Sequence, residues 1–254
     1  LQMVKNGLPA ASILVLLPQR TLGKPYYQAL HNPDFPAGGL PSVLTIGGLA
    51  QRVVRLFWPA IAHSAGFKRP YEPPVFLTLE TAQYYMSRIA QPLIEQGYFE
   101  QLVIDRNRLY SQILDNLNKS ALVGFTHNEF AERLKSAWIG KPSQLTIYDQ
   151  AQECANLFRS FCYENNLLDF SLQLEVFAQH LWPSHIVRSY LNNQFRYLIY
   201  DNVEEDVPVA HDIVSAWLPD LNGSLLIYDQ GGGYRAFLGA DPDYGYLLRE
   251  RCAK

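Results

Sequence analysis

Two acidic strand ends stand out among the residues whose types and spacing could do chemistry. The segment YLIYDNVEED, residues 197–206, runs from an apolar stretch into Asp201 and then Glu204, Glu205 and Asp206; LLIYDQGGGYRAFLGADP, residues 225–242, does the same into Asp229. In open parallel α/β sheets, ligands bind outside the carboxyl ends of the strands. An aspartate there can hold Mg2+, directly or through water, beside a nucleotide phosphate; its plainer role is to cap the next helix. The glycines 231–233 lack the following Lys-Ser/Thr that would make them a phosphate cradle. A second candidate group is basic. Arg20, Lys24, Arg52 and Arg55 can contact phosphates in a sequence-independent, salt-sensitive way, although Arg52 and Arg55 also fit the solvated face of an amphipathic helix. Tyr26 and Tyr27 could stack on bases or simply pack. The six histidines make no zinc-ligand pattern, and Cys154 and Cys162, eight residues apart on an expected helix, are too distant for a disulfide. A reducing cytoplasm suits that cysteine usage.

The chain has 254 residues, 48% of them hydrophobic and 18% charged, with a formal net charge of -3, enough for one large or two small domains. The charge is unevenly spread: residues 1–70 sum to +6, residues 71–185 to -5 and residues 186–254 to -4. A basic first segment points to a polyanion, or to a solvated basic face. The longest apolar run, Ile13 to Leu17, is far short of the roughly 20 residues of a membrane span, so no membrane partner is expected.

The elements that must position these groups follow from hydropathy. Ser12 to Leu17 reads as a buried strand of a parallel sheet. Breakers from Pro33 to Pro41 mark a long loop. Ser42 to Ile46 reads as a second strand, passing through a turn at Gly47 and Gly48 into a helix with apolar residues at Leu49, Val53, Leu56 and Phe57. Residues 66–74 look like a boundary. From Leu77 to about Leu181 several amphipathic helices follow, with capping-type starts at Thr78/Thr81 and Thr126/Glu129. FRYLIYD and SLLIYD then read as two buried strands, joined through a helix at AHDIVSAWL. A sheet needs several strands, so segments 1–65 and 186–254 are expected to share one, interrupted by an all-helical insertion over 66–185.

Five pieces, in order, give the chain a resemblance to the UvrD/Rep family of superfamily 1 DNA helicases over nearly its whole length. ILVLLPQRTLG from Ile13 resembles the ILVLTFT-type strand and its DNA-contacting turn, and VLTIGGLAQRVVR from Val43 the T-x-H-x-F/L segment. LLDFSLQLEVFAQHL from Leu167 is similar to the D-F-D-D-L helix start, YLIYDNVEEDVP to the Walker B segment D-E-[FY]-Q-D-x-x-P, and IYDQGGGYRAFLGADP to G-D-x-x-Q-S-I-Y-x-F-R-G-A-[DN]-P. The resemblance implies an α/β, P-loop NTPase-like parallel sheet with flanking helices and a helical insertion subdomain. It implies ATP and Mg2+ as cofactors of the parent protein, single-stranded DNA as partner, protein partners in repair or recombination, and movement on DNA coupled to ATP hydrolysis. Residue by residue, Asp201 takes the metal position, Glu204 and Glu205 are the remaining catalytic carboxylates, and Asp229 and Gly232 fall at nucleotide-sensing positions. Arg20, Lys24, Thr45, Arg52, Arg55 and Arg235 are the DNA-facing set.

The departures are specific. Asn202 stands where the family has its catalytic Glu, and an amide cannot take a proton from an attacking water. Gly232 replaces the phosphate-sensing Gln, Arg235 an aromatic, Leu238 an Arg and Gly47 a His. Nothing resembles G-x-x-x-x-G-K-[ST], which the resemblance places before Leu1. Two functional expectations follow: a helicase with degenerate ATPase motifs, and a catalytically inactive helicase-fold module that binds DNA or acts as a scaffold.

Overall fold

The computed structural model describes residues 2–31 and 39–252. In chain order they form α1 (Gln2–Lys5), β1 (Ile13–Leu16), α2 (Lys24–Leu30), β2 (Ser42–Leu44), α3 (Ile46–Ile61), β3 (Val75–Phe76) and α4 (Leu79–Glu95). Then come α5 (Arg106–Val123), α6 (Phe130–Ser136), α7 (Leu145–Asn165), β4 (Leu167–Leu168), α8 (Phe170–Val176) and α9 (His185–Gln194). The last are β5 (Tyr197–Tyr200), α10 (Pro208–Trp217), β6 (Gly223–Leu226) and α11 (Pro242–Tyr246). Two compact units result, Leu1–Val53 with Leu181–Lys254, and Val54–His180. The loop expected over Pro33–Pro41 lies, up to Gly38, outside the described residues.

The first unit is built on a parallel sheet of order β2-β1-β5-β6. Leu14 pairs in register with Ser42 on one side and Leu198 on the other, so strands far apart in sequence become neighbours. A central strand of a parallel sheet is covered on both faces and therefore reads as an unbroken apolar run; all four residues of β1 are buried. The expectation of a second buried strand at SLLIYD is corrected: β6 is an edge strand with no strand on its outer side among the described residues, and Leu225 is 52% exposed and Ile227, just beyond it, 39% exposed. Helix α10 connects β5 to β6, starting with Pro208 at its first turn and burying Val209, Ile213, Val214 and Trp217. The Trp217 indole donates to Asn192 of α9 at 2.8 Å.

One local expectation is corrected here. The glycines after β2 do not make a turn: α3 already begins at Ile46, and the Thr45 hydroxyl accepts the Gly48 amide at 3.1 Å, satisfying a donor that a helix start leaves free.

The second unit is mostly helical, but not entirely. β3 and β4 pair in parallel, Val75 with Leu167 and Phe76 with Leu168, so the insertion is not all-helical. Two-residue strands carry no periodicity, which is why hydropathy passes over them. They are set by their flanks: Asn166 ends α7 in the left-handed region, and Asp169 caps α8 by accepting the Leu172 amide at 3.1 Å. The Thr78/Thr81 capping box forms at the start of α4. Thr126 instead donates its hydroxyl to Glu129 at 2.9 Å, and only Phe130–Ser136 of the helix expected there is α-helical. In the core of this unit the buried Arg159 donates to Asp169 at 2.7 Å and to Ser171 at 2.8 Å, with Glu175 at 3.7 Å. Burial works against ionising Glu175, but the His127 bond and the Arg159 charge outweigh it and hold its carboxyl below the usual range.

Candidate functional site: an acidic turn and a basic groove

The β5 strand end is reached without a break in the sheet, because the Asp201 amide still bonds Leu16 at 3.1 Å. Asn202 then adopts a left-handed conformation, φ 55°, which Asn tolerates better than Glu does. That conformation turns the chain so that Val203–Glu205 fold under the β6 strand end, where the Val203 amide bonds Ile227 at 3.1 Å.

The acidic side chains of this turn bond mainly to backbone and hydroxyl donors. Glu204, 2% exposed, accepts the Asp229 amide at 3.0 Å, with the Asn202 side-chain amide at 3.4 Å. Glu205 accepts the Gly233 and Tyr234 amides at 3.1 and 2.9 Å. The glycine run makes this possible: a Cβ on Gly232 would sit 2.9 Å from Glu204 Cγ, and Gly233 has φ 92°. Asp201 accepts its neighbour Asn202's amide at 3.0 Å on Oδ1 and the Tyr26 hydroxyl at 2.7 Å on Oδ2. Behind them, burial pushes the Asp206 carboxyl up to about 6, offset in part by the Val207 amide, the Tyr200 hydroxyl and the Arg235 charge. Tyr200 also meets His211 Nδ1 at 3.1 Å, and burial lowers the His211 pKa.

The basic group lies on the other side of α2. Arg20, Thr21, Lys24, Tyr27, Gln28 and His31 line an open depression of about 620 Å³. Arg20 and Tyr27 also border a smaller cavity of about 230 Å³ with Leu17, Val43, Leu44, Thr45 and Gly48. Three of the six expected DNA-facing residues, Arg20, Lys24 and Thr45, thus gather around Tyr27. Arg52 instead reaches Ser42 Oγ at 3.5 Å and lies over the Phe195 ring at 5.8 Å. Arg55 belongs to the second unit, over the Phe76 ring at 5.3 Å, and the charge of Arg235 acts on Asp206. Gln28 and His31 were not anticipated. Their spacing was readable, since 24, 27, 28 and 31 follow the three-and-four rhythm of one helix face, with Arg20 in the turn before it.

The donor set does not suit a resident Mg2+ as it stands. Each Asp201 oxygen already accepts a hydrogen bond, and among the described residues no group of three His, Cys, Asp or Glu side chains is placed to hold a metal ion. Asp229, exposed, presents its backbone amide to Glu204, and Gly232 covers that carboxylate. Among the described residues no helix is long and apolar enough to cross a membrane. No family model matches the chain, and no curated protein matches it.

Proposed function

We propose that the chain is a helicase-type α/β core of the UvrD/Rep kind that binds single-stranded DNA in the groove around Tyr27, with residues 54–180 as its insertion. We further propose that it acts as a catalytically inactive DNA-binding or scaffold module of a repair or recombination complex. The observation that carries this reading is the division of labour at the strand ends. Glu204 and Glu205 are occupied by the amides of residues 229, 233 and 234, while Arg20, Lys24 and Tyr27 face an open groove. Glu204 has both oxygens bonded, Oε2 to the Asp229 amide and Oε1 to the Asn202 side chain, so taking a proton from water would compete with its hold on the loop. The groove needs no base-edge readout: stacking on Tyr27 and phosphate contacts from Arg20 and Lys24 would be sequence-tolerant.

A working ATP-driven motor is the second reading, favoured by one observation. Asp201 and Asp229 follow neighbouring parallel strands, and the outer edge of β6 exposes Leu225 and Ile227. A further strand bearing a phosphate-binding loop, from a segment outside residues 1–254, would have to join that edge to bring a nucleotide beside both aspartates.

Fluorescence anisotropy with a labelled oligothymidylate, titrated across salt concentrations, tests the first reading. Affinity should fall as salt rises, and Arg20→Ala and Lys24→Ala should each flatten the log-log slope by about 0.7. Absence of binding at low salt, or binding indifferent to both substitutions, would refute it. ATP turnover by the protein with Asn202 in place would favour the motor.

A further inference from the structure

Helix α2 is capped at its C-terminus by a residue of the groove. His31 follows the last helical position and lines the same depression as Arg20, Lys24, Tyr27 and Gln28. Its side chain is exposed, and its Nδ1 lies 2.6 Å from the Tyr27 carbonyl oxygen, which also accepts the His31 backbone amide at 3.1 Å. A carbonyl oxygen only accepts, so Nδ1 carries the hydrogen, and Nε2 of the neutral ring is left as a lone pair that repels a phosphate oxygen. A second proton turns Nε2 into a charged donor while the Nδ1 bond to Tyr27 stays as it is, so the change needs no movement of the ring. The setting favours that charge, because the acceptor is a carbonyl of the last turn of the helix, where cations are stabilised. Among the described residues, Arg20, Lys24 and His31 pair with no carboxylate. The remaining titratable group that lines the depression is the Tyr27 phenol. Asp34, the one acid among residues 1–70, lies outside the described residues.

We propose that His31 is the third phosphate-binding cation of the groove, and that a phosphate chain lying there loads its Nε2 with a proton. This rests on the reading of the groove as a single-stranded nucleic-acid site and adds that binding takes up a proton. Arg20 and Lys24 bind at every pH, and His31 joins them as pH falls from about 8 to about 5.5, the range in which histidine changes charge. Guanidinium and ammonium groups keep their charge across that range, so the two permanent cations cannot supply the dependence. Because linkage is reciprocal, the bound chain raises the affinity of His31 for its proton by the same factor that the proton raises affinity for the chain.

The test uses the full chain and anisotropy of a labelled oligothymidylate, titrated across salt at about pH 8 and about pH 5.5. One added phosphate contact should steepen the log-log salt slope by about 0.7 at the lower pH. At low salt, the added charge-assisted bond should tighten binding about tenfold. His31→Gln should keep the shallow slope at both pH values, and His31→Lys should show the steep slope at both. The Cε1 proton resonance of His31, assigned by its loss in His31→Gln, should titrate at higher pH with the oligonucleotide bound than without it. A helix-capping role alone would weaken His31→Gln equally at the two pH values, and titration of the buried Asp206 or His211 would leave the slope difference in place. A slope difference that survives His31→Gln, or a His31 titration unmoved by bound oligonucleotide, therefore overturns the proposal while the groove reading stands. If the unaltered protein binds no oligonucleotide at either pH, the groove reading falls and this proposal with it.

Discussion

Gly232 and Glu204 offer the sharpest check on whether the acidic turn is structural. Gly232 has no need of a positive φ, so alanine is acceptable to its backbone, but a Cβ there would lie 2.9 Å from Glu204 Cγ and 3.2 Å from the Asp229 carbonyl. Overpacking of this size costs about 1–3 kcal/mol. Glu204→Ala alone leaves the Asp229 amide without its charged acceptor, which costs about 1.5–3 kcal/mol. The two effects should not add. With the Glu204 side chain gone, the alanine methyl at 232 enters vacated space, so the double variant should be more stable than the sum of the singles by about 1 kcal/mol or more. Urea unfolding of the four proteins, followed by tryptophan fluorescence, supplies the cycle. Hydrogen exchange at the Asp229 amide supplies the local readout. Additivity within experimental error, together with unchanged protection of that amide in Glu204→Ala, would refute the claim that Glu204 holds the 229–234 loop.

Three further outcomes follow from the geometry. Asp206 has its pKa raised by burial from 3.8 to about 6, so the folded state holds a proton that the unfolded state has released, and its contribution to stability falls as pH rises through that window. Asp206→Asn should therefore stabilise the protein at pH 7.5 by about 1–3 kcal/mol relative to its effect at pH 4, measured by urea unfolding at both; the comparison is between variants because His211, with its pKa lowered by burial, slopes the other way. Arg159→Met should cost about 3–5 kcal/mol in the same assay, because it strands Asp169 and Glu175 without their cation. Cys154 and Cys162 are buried, and burial pushes the Cys154 thiol up to about 12, whereas Cys252 is exposed; a thiol reagent should label one cysteine in the native protein and three in urea.

The elements with long, uniform hydropathy were legible. ILVL became a fully buried strand, the apolar runs before Asp201 and Asp229 became adjacent parallel strands, and Thr78 with Thr81 capped α4 as their spacing suggested. What escaped were features decided by one or two atoms. Asn202 reads in sequence as the loss of a catalytic carboxylate; its φ of 55° supplies a second reason for an amide there, namely a turn that Glu enters less readily. Likewise Gly232 reads as the loss of a phosphate sensor, while its contact with Glu204 shows a position with no room for a longer side chain. Tyr26 was visible only as one of two adjacent tyrosines, since no periodicity announces a hydrogen bond to a residue 175 positions away.

The direction in which the acidic side chains point also bears on the charge split along the chain. Some basic side chains elsewhere find carboxylates, Lys119 with Asp115, Arg133 with Glu129, Lys135 with Asp149 and Arg188 with Asp220, whereas Arg52 and Arg55 lie over aromatic rings instead. Among the described residues Arg20 and Lys24 pair with none, although Asp201, Glu204, Glu205 and Asp206 belong to the same unit. Those acids are engaged with backbone amides, with the Tyr26 hydroxyl and, at Asp206, with a buried and partly protonated state. None of these four carboxylates forms an ion pair with Arg20 or Lys24. The basic groove therefore keeps its positive field without ion pairs that a polyanion would first have to break, and an incoming phosphate loses only water and counterions from Arg20 and Lys24. A large inverse dependence of oligonucleotide affinity on salt is the signature of that arrangement. Substituting the buried Glu204 should leave the dependence unchanged, whereas adding an exposed acid by Gln28→Glu should shrink it.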